Sequence, residues 1–390
     1  MIGWGPGAAA SRPSRKPLAL SEPNSDSRIV TLGRLAETLT FAMAGGMTLG
    51  FIGVPAGWLS GSILAVAGAS LAGRPMQMPV LLMRTIFVLI GISLGAVVTP
   101  ETLHGMATYP LSIAVLIVAM GFVSYFGAAY LRLVHGWATP DAYLAAAPGG
   151  LSQVMALAAE LGADLRAVAI VQTIRVVIVA VGLPAGLSLL GLVGPGTRGV
   201  GGPFNPALLG ELVFLIIVSA AAAVVAYRIR FPGGLLFGAM VTSAVLHGSG
   251  LVHAVMPWWV ANTAMIALGA VIGSRFANTP LRLLLHFIGA AFGSFAVAVA
   301  IAALFAAGLI GVLSLHAAEV TIAFAPGAVD AMMLLALALH LDPVYVGAHH
   351  LTRIFFVSLT MPLVARYAAR PYAPKDDARK LPLKRPPFED

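Results

Sequence analysis

Between Leu35 and Arg366 the chain alternates long apolar runs with short polar or Gly- and Pro-containing joints, and the runs fall into two sets of six. The first set reads Leu35–Leu49, Gly57–Gly73, Val80–Val98, Tyr109–Leu131, Asp141–Glu160 and Leu165–Val193. The second reads Ala207–Tyr227, Gly234–Val252, Trp258–Phe276, Leu283–Leu313, Glu319–His340 and Pro343–Val364. Runs of about 20 apolar residues match the ~30 Å hydrocarbon core of a bilayer, where a lone segment satisfies its backbone only as a helix. The fifth run of each set is interrupted, by Pro148-Gly149-Gly150 and by Pro326-Gly327-Ala328. Proline stops a helix and glycine permits the reversal that follows. The pattern predicts an all-α polytopic membrane protein with two broken helices.

The sets are copies of one another. An offset of 178 residues pairs Pro148-Gly149-Gly150-Leu151-Ser152 with Pro326-Gly327-Ala328-Val329-Asp330. Without a gap it also pairs Asp141 with Glu319, Asp164 with Asp342, Arg175 with Arg353, Pro184 with Pro362, and Gly91 and Gly95 with Gly269 and Gly273. Pro55, Gly57 and Gly61 meet Pro232, Gly234 and Gly238 at 177. Internal duplication around interrupted helices is a transporter's signature. The expected organisation is a disordered cytoplasmic N-terminus over 1–34, a repeat over 35–193, a linker over 194–206, a repeat over 207–366 and a basic cytoplasmic tail over 367–390.

Loop charge orients these segments, because Lys and Arg gather on the cytoplasmic side. With the basic N-terminus inside and both broken segments crossing, Arg166, Arg228, Arg230, Arg275 and Arg282 fall outside. If both broken segments are re-entrant, each repeat has five spans, the second repeat is inverted, and of the loop arginines Arg198 alone falls outside. The inverted arrangement is the expectation, with both termini in the cytoplasm of a bacterial inner membrane.

Composition agrees: 59% of residues are hydrophobic and 10% charged, against about a quarter charged in soluble proteins. Mean hydropathy is +0.93. The net charge of +8 collects in the two ends and reads as headgroup contact and topology rather than nucleic-acid binding. Cysteine is absent, which excludes disulfides, thiolate metal sites and cysteine nucleophiles. Nothing resembles a phosphate-binding loop, and no cofactor or metal is expected.

Charge inside the membrane marks function by default. Arg175 and Arg353 lie eleven residues beyond Asp164 and Asp342, or ~16 Å along a helix, near mid-membrane. Both Asp residues read as helix N-caps. The guanidinium fork suits a carboxylate or phosphate, or it holds the carbonyls exposed at the breaks. Gly149, Gly150 and Gly327 allow close backbone approach, Ser152 and Asp330 stand where an N-cap would open the returning half-helix, and Gln172 shares a face with Arg175. These form the candidate substrate site. Asp330 and His350, which replace Ser152 and Gln172 in the second copy, are the candidate ion-coupling groups.

The paired Pro-Gly breaks, the paired arginines and the Pro-x-Gly-x-x-x-Gly openings at Pro55 and Pro232 resemble the AbrB family of bacterial membrane proteins, over roughly Leu35 to Arg366. The resemblance implies a duplicated membrane unit; members carry labels as ammonia monooxygenase or as regulators of gene expression. The sequence speaks against the first label, since His349 and His350 point to different faces of a helix and no ligand cluster accompanies them. It also lacks a soluble DNA-reading module. Five spans plus a re-entrant hairpin per inverted half is similar to the glutamate–sodium and citrate–sodium symporters, a likeness of fold alone. The reading is a secondary transporter, not an enzyme. It moves a small anionic or zwitterionic solute with a proton or sodium ion, in contact with lipid and not nucleic acid, as a monomer or homo-oligomer. The alternative is a membrane sensor or scaffold that regulates gene expression through a partner.

Overall fold

The protein is described by a computed structural model over residues 25–97, 109–149, 151–193, 201–277, 279–313 and 315–369. The first seven helices are α1 (Ser25–Ile52), α2 (Gly57–Leu71), α3 (Val80–Gly95), α4 (Tyr109–His135), α5 (Thr139–Ala146), α6 (Leu151–Glu160) and α7 (Leu165–Leu189). The next seven are α8 (Leu209–Arg228), α9 (Gly234–Gly248), α10 (Trp258–Gly273), α11 (Leu281–Leu313), α12 (Ala317–Phe324), α13 (Val329–Ala338) and α14 (Pro343–Ala369). Among the described residues no strand forms beyond an isolated bridge between Gly202 and Pro257. Among the described residues six helices are long and apolar enough to cross a membrane, and the all-α membrane class stands on them.

The helix boundaries follow the apolar runs closely, with one correction. Residues 25–34, expected to be disordered, already belong to α1. Hydropathy marks where a helix can enter lipid, not where its hydrogen bonding begins. Ser25–Arg34 contains no proline, and Ile29 and Leu32 extend the apolar spacing backwards. Residues 1–24, and the basic tail from 370 onward, lie outside the described residues.

The helices sort into two groups, each drawn from both ends of the chain. In the first, α1 packs on α2, α8 on α9, α2 on α10 and α3 on α9, with α3 against α10 at the centre. In the second, α4 packs on α11, α5 and α14, and α11 on α7 and α12, enclosing α6 and α13. The groups meet chiefly where α2 touches α7 and α3 touches α13. Exposed Phe122, Phe126, Ile217, Val225 and Leu304 give α4, α8 and α11 apolar outer faces suited to lipid.

The glycines at the 177 and 178 offsets build the first group. A side chain at Gly61 would strike the Gly45 carbonyl, and one at Gly91 the Leu236 carbonyl. At Gly269 it would strike Ser62, and at Gly273 it would come 2.8 Å from Val66 Cβ. Lipid tails are as apolar as leucine, so helices in a membrane gain from close backbone contact, which small residues permit. The openings at Pro55 and Pro232 place the next residue in the left-handed region, Ala56 at φ 51 and Gly233 at φ 66, and so turn the chain tightly from α1 into α2 and from α8 into α9.

Candidate functional site: two broken hairpins and a buried arginine pair

Each broken segment returns to the level at which it began. The Asp141 carboxylate, in the first turn of α5, accepts the Asp164 backbone N–H at 3.0 Å. The Glu319 carboxylate, in the first turn of α12, accepts that of Asp342 at 3.1 Å. Half-helices of eight and ten residues would set these ends more than about 25 Å apart in a straight rod. The pairs α5–α6 and α12–α13 are therefore hairpins, with Pro148-Gly149 and Pro326-Gly327 at their tips.

Asp164 then caps α7, accepting from the N–H groups of Arg166 and Ala167 at 3.0 and 3.1 Å. Asp342 caps α14 in the same way, through Val344 and Tyr345 at 2.8 and 3.2 Å. Both behave as read from sequence. Asp330 does not: the residue opening α13 is Ala328, which makes no side-chain cap, and Asp330 lies inside the first turn, half-buried. Ala328 takes the extended backbone conformation there, so the reversal ends two residues earlier than the polar side chain suggested. Ser152 is likewise the second residue of α6 and not its cap. Gly150 and the side chain of Ser152 lie outside what the structure describes.

The two arginines carry out the same contact twice. Arg175, 6% exposed, donates from Nη1 to the Ala146 carbonyl at 3.3 Å and from Nη2 to that of Ala147 at 2.9 Å. Arg353, 2% exposed, donates to Ala325 at 2.7 Å and Ala323 at 3.1 Å. Ala147 and Ala325 are the C-cap residues just before the prolines, at the open carbonyl end of each half-helix, whereas the carbonyls that the missing proline N–H leaves without a helical donor are those of Leu144 and Ile322. One turn back, Gln172 donates to the Leu144 carbonyl at 2.8 Å, and His350 Nε2 bonds Ile322 at 3.3 Å. His350 thus takes over the contact that Gln172 makes in the first copy.

Among the described residues nothing neutralises the charge on these arginines. The ion pairs there are Arg74 with Glu37 and Glu211 with His253, both at exposed or partly exposed positions. Neither guanidinium has a described carboxylate within 4.0 Å, and each keeps a buried Nε–H without a partner. Asp330 forms no ion pair with Arg353. Gly149 lies against Val357 of α14, so the first tip is tucked into the second half. At the second tip, Pro326, Val179, Gly182 and Phe295 line an apolar cleft of ≈ 360 Å³ between α7 and α11. The tips are chemically alike and differently packed. Among the described residues no three His, Asp or Glu side chains gather as metal ligands.

Sequence reading passed over one cluster. His349, fully buried, bonds the Tyr345 carbonyl and Ser112 of α4, while Tyr109 donates to Asp342 at 3.1 Å. The i, i+4 spacing of Tyr345 and His349 was the available signal; nothing local pointed to α4.

Fold and site together define a multi-pass helical membrane protein whose two halves each carry a broken hairpin pinned by a buried arginine. The family described as Transition state regulatory protein AbrB matches residues 58–369, and the chain belongs to it. It is 27% identical over 341 residues to a protein of Escherichia coli (strain K12) named "Putative regulator AbrB", covering 85% of this chain and 96% of the relative. It is 24% identical over 368 residues to "Uncharacterized protein YhjN" of Bacillus subtilis (strain 168), covering 87% and 94%.

Proposed function

We propose that this protein is a secondary transporter of a small anionic or zwitterionic solute. The observation that carries the reading is the pair of buried guanidinium groups, with no counter-charge among the described residues. A buried cation is costly unless paired, and two of them at the tips of facing hairpins invite an anion. Each arginine retains a free Nε–H for it, and the first turn of α13 offers N–H groups that no helical carbonyl can take. The substrate-binding residues are then Arg175, Arg353, Gly149, Gly150, Ser152, Gln172 and Gly327, with Asp330 in the first turn after the second tip.

Alternating access follows from the same design. Hairpins that return give each half five crossings, an odd number, so the second half (207–366) is inverted relative to the first (35–193). The hairpin-bearing group can then move against the glycine-packed group across the limited α2–α7 and α3–α13 contacts. The unequal packing of the tips, one tucked and one beside a cleft, supports a protein drawn in one of two interchangeable states. In the inner membrane both termini would be cytoplasmic.

The natural absence of cysteine makes the topology directly testable. Single cysteines at Leu165 and His340 are probed with an impermeant thiol reagent from each side. Inverted halves predict labelling of Leu165→Cys from the cytoplasm alone and of His340→Cys from outside alone. Labelling of both from outside would make the halves parallel and remove the hairpin site.

A second reading is favoured by the regulator name of the Escherichia coli relative: a membrane sensor acting on gene expression through a partner docked on the basic tail. Deletion after Tyr372 separates the two. A transporter keeps full flux, whereas a docking protein loses its regulatory effect.

A further inference from the structure

We propose that His349 is a proton-binding site of this protein, held in a buried cluster with Ser112, Tyr109 and Tyr345 that adjoins a surface cleft at Asp342. As the coupling site of a transporter, this assignment rests on the reading above; as a proton site it stands on hydrogen-bond geometry alone.

Nδ1 of His349 lies 2.7 Å from the Tyr345 carbonyl, which can only accept, so Nδ1 carries a hydrogen in every state. Nε2 lies 2.9 Å from Ser112 Oγ, and that hydroxyl lies 3.0 Å from the Tyr109 carbonyl. When the ring is neutral, the Ser112 hydroxyl turns its hydrogen onto Nε2. When the ring is protonated, Nε2–H donates to Ser112 Oγ and the hydroxyl turns its hydrogen to the Tyr109 carbonyl. One rotation satisfies both states, with no buried group left unpaired.

His350 fails the same test. Its Nε2 faces the Ile322 carbonyl and must donate, and its buried Nδ1 has no partner. A second proton would sit at Nδ1 without an acceptor, a cost that buried polar groups avoid. His350 therefore pins a hairpin, as Gln172 does, and the proton belongs one residue earlier.

The cluster lies close to the surface. Asp342 and exposed His340 line a cleft of ≈ 320 Å³ at the start of α14. Tyr109 donates to Asp342 at 3.1 Å, and its ring meets that of Tyr345 edge-on at 5.3 Å. The Tyr345 hydroxyl is buried and has no hydrogen-bond partner among the described residues. Hydrogen bonds therefore join Asp342 to Tyr109 and Ser112 to His349, and a proton reaching Nε2 from the Asp342 side crosses the unbonded Tyr345 hydroxyl between them. The titratable and charged neighbours of His349 are Tyr345, His350 and Arg353 on its own helix, Tyr109 from α4, and Glu319 and Asp342 at the near ends of α12 and α14.

The cluster joins the two halves and occurs once. At the 178 offset, Tyr345, His349, Ser112 and Tyr109 meet Ala167, Val171, Ala290 and Phe287. A protonated His349 stands one helical turn from Arg353 and adds positive charge near the second tip, so proton and anion favour each other's binding, by about tenfold within the usual range of such couplings.

The test uses the full chain in lipid nanodiscs with ring-¹⁵N histidine, read from about pH 4 to 8, the range around an ordinary histidine midpoint. The His349 signal is assigned with His349→Gln, or, should that variant fail to fold, with His349→Asn. The expected result is a single midpoint in this window and an Nδ1–H tautomer on its alkaline side. Ser112→Ala should move that midpoint down by about one unit, because a hydrogen bond to the charged ring is worth more than one to the neutral ring. A ring that keeps one state throughout, or a midpoint indifferent to Ser112→Ala, would overturn the proposal. Flux of an anion that stays charged across this range, such as methanesulfonate, into proteoliposomes under a pH gradient is measured in parallel. Titration of His349 without flux supports the proton site and counts against transport, whereas flux with a silent His349 overturns this assignment and leaves transport standing.

Discussion

Arg175→Met should lower the stability of the protein by about 2–4 kcal/mol, the scale set by leaving two buried carbonyls without a charged donor. The Ala146 and Ala147 carbonyls receive Arg175 at 3.3 and 2.9 Å, and no backbone N–H among the described residues replaces it. Removing an unpaired buried charge acts in the opposite direction, since burying an ion costs several kcal/mol, so the measured loss should fall toward the lower part of that range. Arg353→Met should cost about half as much, near 1–2 kcal/mol, because the Ala325 carbonyl also accepts the Gly327 N–H at 2.8 Å. Thermal unfolding in detergent gives the order: wild type, then Arg353→Met, then Arg175→Met. A lysine at either position keeps the charge but has no planar fork to bridge two carbonyls, so it should recover less than half of the loss. Both methionine variants should lose anion binding entirely. An Arg175→Met protein as stable as wild type would mean that the tip is not held by the guanidinium. Unchanged anion affinity in both variants would dismiss the proposed site.

Gly273→Val and Gly95→Val should each prevent the first helix group from assembling. A Cβ at Gly273 would lie 2.8 Å from Val66 Cβ and 2.9 Å from the Ala67 nitrogen. At Gly95 it would overlap the Met240 carbonyl and lie 2.6 Å from Ser243 Cβ. Overpacking against a flexible side chain costs about 1–3 kcal/mol. Here the obstacle is the backbone of a neighbouring helix, which can yield only by separating α2 from α10 or α3 from α9, so the loss should exceed that range. Ala substitutions at Gly182 and Gly186, where an added Cβ meets nothing within 4 Å, provide the contrast: they should be neutral or stabilising by up to about 1 kcal/mol, the helix-propensity gain. Monodisperse elution by size-exclusion chromatography is the readout. Normal elution of both valine variants would show that the helices do not approach as closely as described.

Much of this architecture was legible along the chain because the membrane imposes simple rules. A run of apolar residues must be helical, and proline followed by glycine must break it, so α5–α6 and α12–α13 could be drawn within a few residues. The capping roles of Asp164 and Asp342 were equally local, since a cap reaches only two or three residues ahead. The same locality misled at Asp330: the polar side chain looked like the cap, whereas the cap position went to Ala328, whose backbone completes the turn.

The candidate site was legible only in part. Recurrence of Arg175 as Arg353 singled out the pair, and the freed carbonyls supplied one reason for it, which the hydrogen bonds bear out. Nothing in the spacing told whether the hairpins return. Loop arginines favoured a return, but the direct mark is the contact of Asp141 with the Asp164 N–H across 23 residues, a contact of folded ends.

The sequence alone determined the solvent, the helical class, the breaks, the capping aspartates and the equivalence of the two arginines, because each follows from composition or from interactions a few residues long. Tertiary structure decided which residues meet. It placed Ser112 against His349 across 237 positions, set the second-copy glycines of α10 against α2 of the first, and left Arg175 and Arg353 without an acid among the described residues. Those pairings depend on how separate helices pack in three dimensions, and helix periodicity constrains only the face a residue occupies, not the helix that will come to cover it.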